Sequence, residues 1–312
     1  MISITIPVLN EQENILPLHQ EITKEMKALE TDYEIIFIND GSVDDTTGLL
    51  DSLAESDSKT KVIHLKRSYG QTAAMMAGFD FSRGDIIIPM DGDLQNNPQD
   101  IPKLIERLEQ GFDLVSGWRR DRKDNKFSRV LISRIANFMI SHISGVKLHD
   151  YGCTLKAYRR EIIQDVKLYG EMHRFIPIYA KWEGAKIDEI SVSHRERING
   201  KSKYGLNRVV KVILDLIVVQ FLFHYSKKPI YLFGSFGLIL ILLAFAAIGY
   251  ALFQKFVFGL SLILTPLPVL ASMLFITGIT SILMGLLAEL ITRTYHETQN
   301  KPTYAVAKKI NF

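Results

Sequence analysis

The chain has 312 residues, 47% of them hydrophobic and 23% charged, with a formal net charge of +3 at pH 7. That length suits one large domain or two smaller ones. The mild basicity does not argue for nucleic-acid binding, and no dense Lys/Arg run interleaved with aromatics supports it; a single cysteine, Cys153, excludes an intrachain disulfide.

The first 120 residues alternate between strand and helix patterns. Ile2 to Val8 reads as a strand, Asn14 to Leu29 as a helix, Tyr33 to Ile38 as a strand and Thr46 to Ala54 as a helix. Lys61 to Leu65, Asp85 to Met90 and Asp113 to Ser116 read as further strands, with helices over Gln71 to Phe81 and Asp100 to Gln110. This alternation predicts an α/β domain with a mainly parallel sheet and helices on its faces. Met1 leads straight into the first strand without a basic leader, so no signal peptide is expected and the domain is expected to remain cytoplasmic. Residues 126–145 read as an amphipathic helix with a basic face, and 147–200 return to mixed character.

The composition changes sharply after that. Residues 206–228 are apolar but carry Arg208, Lys211 and Asp215, which fits a juxtamembrane helix lying at a membrane surface, with a core helix of the soluble domain as the alternative. Residues 229–288 contain one charged residue, Lys255. Ile230 to Phe253 is uncharged and long enough to span a bilayer, and a second run, opened by Pro266 and Pro268, extends to Leu287. Lys227, Lys228, Arg293, Lys308 and Lys309 flank this hairpin on one side, so both ends are expected in the cytoplasm, with 291–312 as a cytoplasmic tail. Small residues in the first span (Gly234, Ser235, Gly237, Ala244, Ala246, Ala247, Gly249) would permit close packing with a second copy as a homo-oligomer.

Ligands on parallel α/β sheets sit beyond the carboxyl ends of the strands. Three acidic loops fall there: Asn10-Glu11, Asp40-Gly41-Ser42 and Asp91-Gly92-Asp93-Leu94-Gln95. Asp91 and Asp93, spaced by two at a strand end, leave it on the same side, and two hard oxygen ligands suit Mg2+ or Mn2+ shared with substrate phosphates. A solvated turn capping the next helix is the plainer alternative. Asp40 reads either as a turn and cap residue or as an acceptor for nucleobase N–H groups. Arg119, Arg129, Ser133, Arg134, Arg195, Arg197, Lys201 and Lys203 read either as solvated charge or as a second phosphate site, for which arginine's bidentate fork is suited.

Ile6-Pro7-Val8-Leu9-Asn10-Glu11, Asn39-Asp40-Gly41-Ser42-x-Asp44-x-Thr46 and Asp91 to Gln95 together resemble family 2 glycosyltransferases of the GT-A fold. Gly117-Trp118-Arg119, Arg129 to Arg134, Asp150-Tyr151-Gly152-Cys153 and Arg197-x-x-Gly200-x-Ser202-Lys203-Tyr204 resemble the polyprenyl-phosphate branch, which includes dolichol-phosphate mannose synthases and bactoprenol glucosyltransferases. The resemblance implies a GT-A domain over 1–205, a hairpin over 229–290 and inverting transfer of a sugar from a nucleotide sugar to a polyprenyl phosphate. UDP-glucose is the favoured donor, with GDP-mannose or a UDP-aminosugar as alternatives. A non-catalytic nucleotide-binding membrane subunit is the rival from another class.

By the same resemblance Pro7, Asn10, Glu11, Asp40, Asp91, Gly92, Arg197 and Lys203 bind the nucleotide sugar. Asp91, Asp93 and Gln95 hold Mg2+ or Mn2+. Arg119, Arg129, Ser133 and Arg134 hold the acceptor phosphate, and Asp150 joins Asp91 and Asp93 as a catalytic residue that orients the acceptor. Trp118 stands where a smaller residue is expected. Ile178-Tyr179-Ala180-Lys181-Trp182 lacks the Gln and Arg of the processive synthases' Gln-x-x-Arg-Trp, which implies one transfer per acceptor.

Overall fold

The computed structural model of the chain describes residues 1–120, 137, 140, 141, 144–164, 166, 172–195, 230–298 and 303–312. The expected helix over 126–145 lies largely outside these residues, and the expected interfacial helix over 206–228 wholly so. Two compact units emerge, Met1–Ile217 with Pro302–Phe312, and Val218–Lys301.

The first unit is built on strands β1 (Ile2–Val8), β2 (Tyr33–Asn39), β3 (Thr60–Leu65), β4 (Ile86–Pro89), β5 (Leu114–Trp118), β6 (Lys156–Arg159), β7 (Ile187–Ser191) and β8 (Val306–Ile310). They form one sheet in the order β7-β5-β6-β4-β1-β2-β3-β8. The pairs β1–β2, β1–β4, β2–β3 and β5–β7 are parallel, whereas β6 runs antiparallel to β4 and β5, and β8 antiparallel to β3. Helices α1 (Ile15–Ala28), α2 (Thr46–Ser56), α3 (Gln71–Phe81) and α4 (Ile101–Glu109) follow β1 to β4 in turn, with α5 (Arg160–Ile163) and α6 (Ile176–Trp182) later in the chain.

The sequence explains this layout. Every residue of β2 is buried, as expected of a central parallel strand covered on both faces. Helix α4 buries Ile101, Leu104, Ile105 and Leu108, a single helical stripe. By contrast α3 is buried at every position from Thr72 to Phe79. Gly78 lets it lie directly on β1, because a Cβ there would stand 2.9 Å from Thr5 Cβ. The stretch expected as a tail supplies β8, which caps the edge left by β3. Tyr304 donates to Asp80 at 2.7 Å, and Asn311 donates to the carbonyls of Ala54 and Thr60. Nothing in the charge pattern of 291–312 signalled that pairing.

The second unit holds α7 (Ile230–Phe258) and α8 (Leu267–Thr298). Leu232–Phe258 and Leu267–Ala288 are long and apolar enough to cross a membrane, and only 17% of each window is buried, unlike a soluble core helix. Their contact runs along small residues seven apart: Gly237, Ala244 and Ala251 on α7, and Ala271, Gly278 and Gly285 on α8, are all buried. A Cβ at Gly237 would lie 2.5 Å from the Gly278 carbonyl, and one at Gly278 would lie 2.8 Å from the Gly237 carbonyl. Ser281 Oγ adds a bond of 2.8 Å to the Phe233 carbonyl. Gly237 and Ala244, read from the sequence as a surface for a second copy, are therefore used within the chain's own hairpin.

Candidate functional site

The three acidic loops expected beyond the strand ends do lie there. The loop after β1 is laced to the loop after β2: Asn10 N–H donates to Ser42 Oγ and Val43 N–H to Asn10 Oδ1, both at 2.9 Å, and Glu11 N–H donates to Thr46 Oγ1 at 3.1 Å. Gly41 sits at φ 74°, where its missing side chain leaves room for the Arg67–Ser68 backbone, 2.7 Å from an ideal Cβ. That close approach is what places Asp40. Its carboxylate, 4% exposed, accepts from Ser68 Oγ at 2.8 Å, Tyr69 N–H at 2.7 Å and Gly70 N–H at 3.0 Å. Asp40 thus fixes the loop between β3 and α3, a partnership that the sequence did not reveal. Arg67 stacks over Tyr69 in the same loop, 4.7 Å from the ring centre.

The loop after β4 carries Asp91 and Asp93. Gly92 is required by packing, since a Cβ would reach Val8 Cγ1 at 2.7 Å. Asp91 Oδ1 accepts from Gln71 Nε2 at 2.9 Å and Oδ2 from Thr154 Oγ1 at 2.7 Å. Burial, and then the nearby charge of Asp93, push the Asp91 carboxyl up to about 6, against the Thr154 bond and the charges of Arg119 and Lys156. A buried and a half-buried carboxylate that repel one another fit a divalent cation. Among the described residues no third His, Cys, Asp or Glu joins them, so the protein would contribute few ligands and substrate oxygens the rest. Gln95 is half-buried, with its N–H on Asp93 Oδ1 at 3.2 Å and its carbonyl accepting from Arg195 N–H at 3.0 Å.

Arg119, just past β5, is the cationic counterpart. Its Nε and Nη2 donate to Asp150 at 2.7 and 3.0 Å. Burial works against its charge, but Asp150 outweighs that and raises its pKa. Asp150 also accepts from Gly152 N–H at 3.1 Å and is 3% exposed. Asp150, expected to orient the acceptor, holds Arg119 through both of its oxygens. An ideal Cβ on Gly152 would stand 3.3 Å from Arg119 Nη2 and 3.8 Å from Arg174 Nη1, so this glycine leaves a gap bounded by two guanidinium groups. Behind it the buried Lys156 amine donates to the carbonyls of Tyr151 and Cys153, and burial lowers its pKa.

Trp118, unexpected at its position, stacks on His149 with ring centres 4.4 Å apart. Arg129, Ser133, Arg134, Arg197 and Lys203 lie outside the described residues. Arg195 is tied elsewhere, to Glu21 and Asn97. The sequence reading missed Gln71, Thr154 and Arg174. Thr154 directly follows the Asp150-to-Cys153 stretch and offered the nearest signal; Gln71 and Arg174 had none.

Comparison with known proteins agrees with this geometry. Residues 3–167 match the family described as glycosyl transferase family 2. A dodecaprenyl-phosphate galacturonate synthase of Rhizobium johnstonii is 42% identical over 98% of this chain and 91% of its own length. An undecaprenyl-phosphate 4-deoxy-4-formamido-L-arabinose transferase of Pseudomonas fluorescens is 38% identical over 98% of this chain and 89% of its own. Among solved structures, glucosyl-3-phosphoglycerate synthase from Mycobacterium tuberculosis, bound to Mn2+, UDP and phosphoglyceric acid, superposes with a TM-score of 0.54 at 18% identity, covering 70% of this chain and 78% of that one. That likeness shows the GT-A fold. With the sheet order, the acidic strand-end loops and the family match in hand, the chain belongs to glycosyl transferase family 2.

Proposed function

We propose that this glycosyltransferase moves one sugar from a nucleoside diphosphate to the phosphate of a polyprenyl phosphate at the cytoplasmic membrane face. One observation carries the reading. Arg119 lies close enough to Asp91 that each charge stabilises the other, which brings a cationic anchor near the acidic strand-end pair. The apolar hairpin and the relatives named for polyprenyl-phosphate acceptors support a lipid as the second phosphate.

In this mechanism an acceptor phosphate oxygen attacks the anomeric carbon from the face opposite the leaving group. The new C–O bond forms as the bond to the nucleoside diphosphate breaks, and the configuration inverts. The nucleophile is already anionic near neutral pH, so positioning and charge placement supply most of the rate. Arg119, held by Asp150, orients the acceptor phosphate, assisted by Arg129, Ser133 and Arg134. The Asn10–Glu11 and Asn39–Ser42 loops seat the base and ribose with Asp40, and Arg197 and Lys203 close over the donor. Mg2+ or Mn2+, held by Asp91 and Asp93 with Gln95, would neutralise the departing diphosphate.

The two relatives are named for galacturonate and 4-deoxy-4-formamido-L-arabinose, so a uronate or aminosugar donor now stands ahead of UDP-glucose. Lys227, Lys228, Arg293, Lys308 and Lys309 support a cytoplasmic location for both ends of the hairpin, the 206–228 segment included. The test is a screen of radiolabelled UDP-glucose, UDP-galacturonate, a UDP-aminosugar and GDP-mannose with undecaprenyl phosphate and purified protein. One donor should label the lipid, and failure of all four rejects the reading.

A further inference from the structure

The turn that carries Asp40 is braced from behind by a chain of side chains reaching to the far edge of the sheet. Asn39, 2% exposed, uses all of its amide: Oδ1 accepts from Ser42 N–H at 2.9 Å, while Nδ2 donates to Thr47 Oγ1 at 2.9 Å and to His64 Nδ1 at 3.1 Å. His64 Nε2 lies 2.7 Å from Asp51 Oδ1, and Asp51 Oδ2 accepts from Lys308 Nζ at 2.7 Å.

Each hydrogen-bonding role in this chain follows from the one before. A carboxylate only accepts, so Nε2 carries the proton that faces Asp51, and the Asn39 NH2 at Nδ1 leaves that nitrogen as the acceptor. Nδ1 is then an acceptor and must face an N–H group, which turns the Nδ2 side of the Asn39 amide toward it. The amide oxygen is left pointing at Ser42. Were the amide reversed, its oxygen would meet the His64 lone pair and its NH2 would meet the Ser42 N–H, losing two buried bonds at once. Ser42 is in turn the residue whose Oγ receives the Asn10 N–H, so the same choice also holds the loop after β1.

We propose that His64 is a positioning residue for the nucleotide pocket. Its Nδ1 acceptor sets the direction of the Asn39 amide and through it the shape of the Asn39–Ser42 turn that presents Asp40. The inference rests on the reading that this turn seats the nucleotide. Lys308, on β8, completes the chain by holding Asp51 from the side opposite His64.

Two substitutions separate the acceptor role from bulk. In His64→Asn the side-chain oxygen takes the place of Nδ1 and the link to Asp51 is lost. In His64→Gln the amide reaches Asp51 and the Nδ1 acceptor is lost. UDP, with GDP in a parallel arm, is titrated calorimetrically into each full-length variant in detergent with Mn2+, alongside thermal unfolding and Asp40→Ala. His64→Gln should weaken binding of the preferred nucleotide about tenfold, the worth of a buried hydrogen bond, and His64→Asn should recover most of that loss at a similar Tm. Equal losses in both variants, or none in His64→Gln while Asp40→Ala weakens binding, overturn the positioning role alone. If Asp40→Ala binds as the wild type does, the turn does not seat the nucleotide and both readings fall.

Discussion

Arg119 and Asp150 form a two-point ion pair, Nε to Oδ2 at 2.7 Å and Nη2 to Oδ1 at 3.0 Å, with side chains 14% and 4% exposed. The fork geometry leaves the guanidinium little freedom to rotate. Asp150→Ala strands a buried cation and should lower stability by about 3 kcal/mol, with Asp150→Asn losing less. If Arg119 holds the acceptor, the same variants should raise the KM for polyprenyl phosphate more than that for the nucleotide sugar. A rise confined to the donor KM would move Arg119 to the donor side.

The Asp91 carboxyl, raised to about 6 by burial and by Asp93, makes a prediction about pH. Between an ordinary carboxylate value and pH 6 the folded chain holds a proton that the unfolded chain has released. Asp91 therefore lowers stability as pH rises through that window, by up to about 3 kcal/mol for two pKa units. Without added metal the Tm of the wild type should fall relative to Asp91→Asn from pH 4 to 6. Mn2+ should raise the wild-type Tm more at pH 7 than at pH 5, and leave Asp91→Asn nearly unmoved.

Thr154 donates to Asp91 Oδ2 at 2.7 Å and favours its charged form. Removing that hydroxyl in Thr154→Val should push the Asp91 carboxyl higher still. The acid limb of the pH–activity profile should shift toward neutral pH while activity at pH 8 changes little. An unshifted limb would mean that another group controls it.

In the hairpin, Gly278→Leu would drive a side chain into the Gly237 carbonyl and Ile241, and should cost about 1–3 kcal/mol. Ser281→Ala removes one interhelical bond and should cost about 0.6 kcal/mol. Gly249→Leu is the control, because nothing lies within 4 Å of a Cβ there. Thermal unfolding in detergent ranks the three.

The sequence made the parallel core legible because hydrophobic runs and short punctuating loops are local signals: β1 and α3 occupy the expected spans, Ile2–Val8 and Gln71–Phe81. Asp91 and Asp93 were legible for the same reason, at a strand end. What escaped was pairing across the chain. Thr154 is sixty-three residues from Asp91, and β8 joins β3 across the entire hairpin. No periodicity encodes such contacts. The contacts that Asp150 and Gly237 make were illegible for a related reason: a residue type signals what it can bind, and only the fold shows Arg119 and Gly278 beside them.

The pairing of β8 with β3 has a consequence for how the molecule is made. The chain leaves the sheet, runs through two apolar helices and returns to the same sheet, so if those helices cross a membrane the number of crossings must be even. A ribosome delivers residues 1–120 long before β8, so the β3 edge stays open until both helices have been threaded. Were the helices to span a membrane, a chain that inserted only one of them would strand β8 on the other side and leave the β3 edge exposed.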